Sequence, residues 1–222
     1  GYDWSDVSII SNITADHIGQ DGIEDLDDLL WVKSLVAERV KPHGHLILNA
    51  DDPLSLSLKH KPEVNKFPRK IILYANHLSK EIERHLIRGG TAVWHHQGWI
   101  VRGQEKEIYP IMPIRDIPLT YGGSLKFNIS NALAACAGAV ALQVLVIQIV
   151  DGLKSFHPAV QNPGRMNIYK VRDAHVIIDY GHNEDALHQV GQFVQQFGFA
   201  KKRICIGLPG DRSTDLIQET GR

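Results

Sequence analysis

Lys33 is a charged amine at a position where helical spacing would put an apolar side chain. With residues 23–40 as a helix, Leu26, Leu30, Ala37 and Val40 share one stripe, and Lys33 lies in its middle, seven residues from both Leu26 and Val40. A lysine so placed either snorkels outward along its aliphatic stem or has a partner that rewards burial. Upstream, Ser11-Asn12-Ile13-Thr14-Ala15-Asp16-His17 reads as a strand end opening into a polar loop. His17 and Lys33 together have the composition of half a metal and phosphate site.

Three further groups could do chemistry. Asp179 ends a strongly apolar run and is followed by Tyr180-Gly181-His182-Asn183. In open α/β sheets ligands gather at the carboxyl ends of strands, where a carboxylate can accept from ribose hydroxyls. The plainer alternative is that Asp179 caps the next helix. Leu208-Pro209-Gly210-Asp211-Arg212 closes another apolar run in the same way, so two neighbouring strand tips could frame a crevice. Asn128 and Asn131 lie three apart at a helix start and so share a face, where carboxamides can both donate to and accept from an adenine edge. Spacing alone favours ordinary N-capping by Asn128. Arg165 follows Pro163-Gly164, and a guanidinium there can clamp phosphate or simply be a solvated charge.

The elements that must position these residues alternate strand and helix in the first half, which points to α/β construction. Strands are expected at 7–11, 45–48 and 71–75, with β texture from Thr91 to Leu119 and turns at Gln97-Gly98 and Gly103-Gln104. His95 and His96 are neighbours on a strand, point to opposite faces and cannot chelate one ion side by side. The acidic run Asp21, Glu24, Asp25, Asp27 and Asp28 suits a helix N-terminus better than a metal. An alanine-rich helix is expected through Ala141. The breaker-rich run Phe156 to Gly164 is the best domain boundary, dividing 1–155 from 166–222 with a linker at 156–165. Beyond it, strands at 166–171 and 175–180, a helix at 184–197 and a strand at 203–208 suggest the start of a Rossmann-like domain.

The composition is that of an ordinary globular protein. Its 222 residues carry 24 Lys+Arg against 25 Asp+Glu, a formal net charge of −1, which leaves no electrostatic footprint for nucleic acid or acidic lipid. The two cysteines, Cys136 and Cys205, give no disulfide framework or zinc site and suggest a reducing, cytoplasmic setting. No uninterrupted apolar run is long enough to cross a bilayer, since Gln143 and Gln148 break the run Leu133 to Val150. Both ends read as cut, which suggests a fragment.

Taken in order, Asn12-Ile13-x-x-Asp16-His17, Lys33, Asn49-Ala50-Asp51-Asp52, Asn128-x-x-Asn131-x-x-Ala134-Ala135, Asn162-Pro163-Gly164-Arg165 and Asp179-Tyr180-Gly181-His182 resemble the Mur ligase superfamily of ATP-dependent amide-forming ligases. Gly1-Tyr2-Asp3-Trp4, Asp16-His17-Ile18-Gly19-Gln20-Asp21-Gly22 and Pro209-Gly210-Asp211-Arg212 are most similar to its cyanophycin synthetase branch. The resemblance implies a fold in which the latter part of a central ATPase domain joins the start of a C-terminal domain. It implies ATP and Mg2+ as cofactors, with arginine and the aspartate side chains of a multi-arginyl-poly-aspartate as reactants. A homo-oligomeric full-length enzyme is also implied.

By position, the resemblance makes Lys33 a carbamate-bearing residue and His17 a magnesium ligand. Asn128 and Asn131 become the adenine-facing pair, Arg165 the arginine near the phosphates, and Asp179 the ribose-binding acid. His182 falls near the nucleotide, and Asp211 and Arg212 near the substrate. Carbamylation has a physical basis, because a neutral buried amine can take up carbon dioxide and become an anionic oxygen donor.

Two departures from the family pattern stand out. No G-x-x-x-x-G-K-[ST] phosphate loop occurs in the chain, and Phe127 stands where several relatives have histidine. Rival expectations are a peptidoglycan-precursor or folylpolyglutamate ligase and a non-catalytic nucleotide-binding remnant. A nicotinamide-dependent dehydrogenase is disfavoured, because no G-x-G-x-x-G follows any strand.

Overall fold

Alternation along each strand decides this architecture. The computed structural model describes residues 3–14, 22–105, 107–199 and 201–207. Six strands form one sheet in sequence order: β1 (Ser5–Ile10), β2 (Val40–Asn49), β3 (Lys70–Ala75), β4 (Thr91–His96), β5 (Trp99–Gln104) and β6 (Glu107–Pro113). β1 to β4 are parallel, and β4 to β6 are antiparallel. Leu46, Leu48, Leu73, Ala75, Ala92, Trp94 and Val101 bury one face against α1 (Leu26–Glu38) and α3 (Lys80–Ile87). Their strand neighbours Ile47, Ile72, Tyr74, Val93 and Ile100 bury the other face against α4 (Lys126–Ala141). Strand residues buried on both sides explain the continuous apolar runs in the sequence.

α1 is shorter than its apolar spacing suggests. Asp25 accepts from the Asp27 and Asp28 amides at 2.9 Å each, so the helix begins at Leu26, and Asp28 returns a carboxylate to the Glu24 amide. Asp25 is therefore the cap of the acidic run and Asp27 and Asp28 its first turn, in keeping with the dipole, while Asp21 lies outside the described residues. At the other end Arg69 donates to the carbonyls of Glu38 and Val40, and Val40 pairs with Ser5 as the first residue of β2. The buried stripe is Leu29, Leu30, Ser34 and Ala37, whereas Leu26 is 40% exposed. Lys33, half-buried, flanks that stripe one turn from Leu29, Leu30 and Ala37.

Residues 41–44, between the helix expected at 23–40 and the strand expected at 45–48, are absorbed as an irregularity inside β2. A Cβ on Gly44 would lie 2.8 Å from the Asp6 carbonyl oxygen, so only glycine fits there. The hairpin at Gln97-Gly98 has both residues at positive φ, and the His95 ring accepts from the Gly98 amide, consistent with a structural histidine. The run Leu133 to Val150 is split by a turn between α4 and α5 (Val146–Ser155).

The C-terminal part holds α6 (Pro158–Gln161), an antiparallel pair β7 (Asn167–Val171) and β8 (Ala174–Ile178), and α7 (Glu184–Gln195). Leu125, Met166 and Phe193 bury together there, with Tyr121, Phe127, Ile168 and Val190 around them. The strand expected at 203–208 does not form over 203–207. Ile204 and Ile206 are exposed there, and no strand among the described residues pairs with them. No helix among the described residues is long and apolar enough to cross a membrane.

Two measurements test this packing. Replacing fully buried Ile47 with alanine is expected to lower the unfolding free energy by about 2–5 kcal/mol in urea titrations. Ile87→Ala, at a position 82% exposed, should change it by no more than about 0.5 kcal/mol. Cys136 is buried on the sheet-facing side of α4 and its thiol is pushed up to about 12 by desolvation, whereas Cys205 is exposed. A disulfide reagent should therefore titrate Cys205 at once and Cys136 only on unfolding.

Candidate functional site

The loop leaving β1 carries backbone groups that no strand can satisfy. Side chains from the β2 tip take them up. Asn49 donates to the Ser11 carbonyl at 2.8 Å, and Asp52 accepts the Ile13 amide at 2.6 Å while capping α2 (Pro53–Ser57) through the Leu54 amide. Ser55 donates to the Ile10 carbonyl, and Tyr74, from β3, donates to Ser11. Burial pushes the Tyr74 phenol well above its ordinary range, so it acts as a neutral donor. Asp51 turns the other way and accepts both the backbone and the carboxamide N–H of Asn76. Asn49-Ala50-Asp51-Asp52 is thus a brace that aims Asn12, Ile13 and Thr14 over the carboxyl edge of the sheet.

α4 begins at that edge, one turn earlier than an Asn128 cap would require. Its N-cap is Leu125, which provides no side-chain cap. Asn128 sits inside the first turn, buried, and donates to the Leu119 carbonyl at 2.9 Å, while its oxygen accepts from Asn131 at 3.1 Å. Capping by Asn128 is therefore excluded. Asn128 holds Asn131, whose own carboxamide oxygen is left for another donor.

Asn167, fully buried, organises the segment that carries Arg165. It accepts the Gly164 amide at 2.6 Å and donates to the carbonyls of Asn162 and Arg165 at 3.2 Å each. Gly164 and Met166 both have positive φ, and Tyr121 donates to the Met166 carbonyl. The Arg165 guanidinium lies over the Tyr180 ring, 4.7 Å from its centroid. Asp179 does not cap α7, because Asn183 does so through the Ala186 amide. The Asp179 carboxylate instead accepts from Met166 at 2.9 Å and from Gly181 at 2.6 Å. Each oxygen retains a second lone pair.

These segments meet around one polar cavity of about 560 Å3. Lys33, Asn128, Asn131, Arg165, Asp179 and His182 all line it, together with Asn12, Phe127 and Asp185. Two cationic side chains and the N-terminal ends of α4 and α7 face the same space, an arrangement suited to an anion. Carboxamide and carboxylate groups suited to sugar and base edges lie alongside. His17, Asp211 and Arg212 lie outside the described residues. The sequence did not single out Asn167, and it gave the Asn49-Ala50-Asp51-Asp52 run no partner, because Ile13 lies 39 residues from Asp52.

Comparison with known proteins follows this geometry. Residues 4–139 match the family model for the Mur ligase middle domain. The chain belongs to the Mur ligase family. It is 35% identical over 225 aligned residues to the cyanophycin synthetase of Nostoc sp., an alignment covering 100% of this chain and 24% of that protein. The chain therefore spans about a quarter of the length of that relative. It is 26% identical to a UDP-N-acetylmuramoyl-L-alanyl-D-glutamate–L-lysine ligase of Staphylococcus epidermidis, over 98% of this chain and 40% of the relative. Among solved structures, MurF from Acinetobacter baumannii superposes with a TM-score of 0.62 at 20% identity, covering 87% of this chain and 38% of that one. The folylpolyglutamate synthetase of Lactobacillus casei superposes at 0.52 and 13%, covering 87% and 43%. These likenesses place the six-stranded sheet and its helices in the Mur ligase fold.

The brace predicts a local effect. Asp52→Ala is expected to cost about 1–3 kcal/mol of stability and to raise hydrogen exchange at the Ile13 amide above that of core amides. Unchanged exchange at Ile13 would show that Asp52 does not hold the loop.

Proposed function

We propose that this chain supplies part of the nucleotide site of an ATP-dependent amide-bond ligase that works through an acyl phosphate. Its reaction adds arginine to the aspartate side chains of a multi-arginyl-poly-aspartate. The observation that carries the proposal is the single cavity lined by Lys33, Asn128, Asn131, Arg165, Asp179 and His182, contributed by separate stretches of chain. The narrower choice of reaction rests on identity, at 35% to the Nostoc cyanophycin synthetase against 26% to the peptidoglycan ligase. A peptidoglycan-precursor or folylpolyglutamate reaction would use the same nucleotide chemistry.

In this proposal Asn131 presents its free carboxamide oxygen to the adenine amino group, held in place by Asn128. Asp179 offers its remaining lone pairs to the ribose while bracing the Met166 and Gly181 amides. Arg165, fixed against Tyr180, presents a forked set of N–H donors to phosphate oxygens. The uncapped first turn of α4 adds backbone donors nearby.

Among the described residues no group of three or more His, Cys, Asp or Glu could hold a metal. Magnesium, which binds through few protein oxygens together with substrate phosphates, would depend on Lys33 as a carbamate and on His17. When bound it would neutralise charge on the phosphoryl oxygens.

In the intact ligase, Lys33→Ala is expected to reduce arginine incorporation by about 10²–10³-fold. In the unsubstituted protein, 13C-bicarbonate should give a carbamate carbon resonance that Lys33→Ala abolishes. Normal turnover and an unaltered 13C spectrum in that variant would remove Lys33 from the mechanism. For the 222-residue chain, which contains no G-x-x-x-x-G-K-[ST], calorimetry should find ATP affinity no better than millimolar. Micromolar binding would contradict this.

A further inference from the structure

A second polar cavity, also about 560 Å3, opens at the other end of α4, under the amino-terminal ends of the parallel strands. α4 has 16 residues, so the two cavities are separated by roughly 24 Å at 1.5 Å per residue. The second cavity exists because the α4-facing side of the sheet changes character where the helix stops. Ile47, Ile72, Val93 and Ile100 pack beneath α4. Two residues back along β2 and β3, the same face carries His45 and Lys70, which are cross-strand partners, and β4 and β5 place Thr91 opposite Gln104. Arg102, opposite Val93, points under the helix close enough to act electrostatically on Cys136, and Arg88 closes the rim.

Among the described residues no carboxylate lines this cavity. Among the described residues Lys70, Arg88 and Arg102 form no ion pair. Solvated cations at a helix end would need no further explanation. Arg102 is different: its Nε is buried without a hydrogen-bond partner, although its guanidinium stacks on Tyr109 at 5.4 Å. A buried N–H of a charged group left without an acceptor is costly. The two histidines are held toward the neutral form by desolvation, helped by Lys70 beside His45 and by Lys59 and Arg88 near His85, as in a site of positive potential.

We propose that this cavity is an oxyanion-binding site, with Arg102 Nε and the Lys70 and Arg88 side chains as donors to a phosphate or carboxylate group. The site is distinct from the nucleotide cavity and does not depend on the ligase reading. Its cation set suits a ligand with at least two negative charges.

Isothermal titration of the 222-residue chain at low ionic strength tests it, with pyrophosphate in one arm and succinate in the other. The expected result is saturable one-site binding in at least one arm, and the tighter arm identifies phosphate or carboxylate as the ligand group. Arg102→Gln and Lys70→Gln should each weaken that binding by about tenfold or more, while Arg165→Gln leaves it unchanged. Lys70 is exposed, so its variant reports even if Arg102→Gln fails to fold. Absence of saturable binding in both arms would overturn the proposal. So would binding that survives Lys70→Gln or is lost in Arg165→Gln.

Discussion

Backbone groups at the carboxyl ends of β1 to β3 must find partners outside the sheet, and the site depends on how they do so. Once a parallel strand ends, its chain turns away with N–H and C=O groups that no neighbouring strand can meet. Here Asn49, Asp52, Ser55 and Tyr74 meet those of Ile10, Ser11 and Ile13. The loop that runs toward the cavity is therefore fixed by polar side chains on β2, β3 and the start of α2. Without them the 11–14 segment would have no defined position relative to Lys33.

The same economy recurs at the second wall of the cavity. Asn167 and Asp179 each satisfy backbone amides around Arg165, at Gly164 for one and at Met166 and Gly181 for the other. Positive φ at Gly164 and Met166 bends the chain sharply there, and these bonds hold the bend. Asp179 is thus structural through one lone pair on each oxygen, which leaves the others for the ribose role proposed above. Bracing these amides is compatible with the ribose role proposed for Asp179, whereas capping α7 falls to Asn183. Asn128 shows the same overlap, since it ties α4 to Leu119 and positions Asn131 in one set of contacts.

Much of this was legible in the sequence, because it rests on local periodicity. The apolar runs at 45–48 and 71–75 became central strands, and Asp25, Asp27 and Asp28 of the acidic run became the cap and first turn of α1. Lys33 was visible as an anomaly although the stripe was misplaced: Leu26 is exposed and Leu29 buried, since Asp25 sets the start of the helix. Contacts between distant residues were not legible. Nothing near Asp52 names Ile13, 39 residues away, as its partner, and nothing near Tyr74 names Ser11. The apolar residues at 203–207 read as a strand from propensity, but a strand is defined by its neighbour, and none among the described residues pairs with them.

The central claim is that Lys33, Asn131 and Arg165 face one nucleotide. A crystal structure of the intact ligase with a non-hydrolysable ATP analogue and magnesium tests this most directly. The account predicts the adenine amino group within hydrogen-bond distance of the Asn131 carboxamide, and the phosphate chain between the Lys33 and Arg165 side chains. A nucleotide bound with its phosphates away from both Lys33 and Arg165 would contradict it.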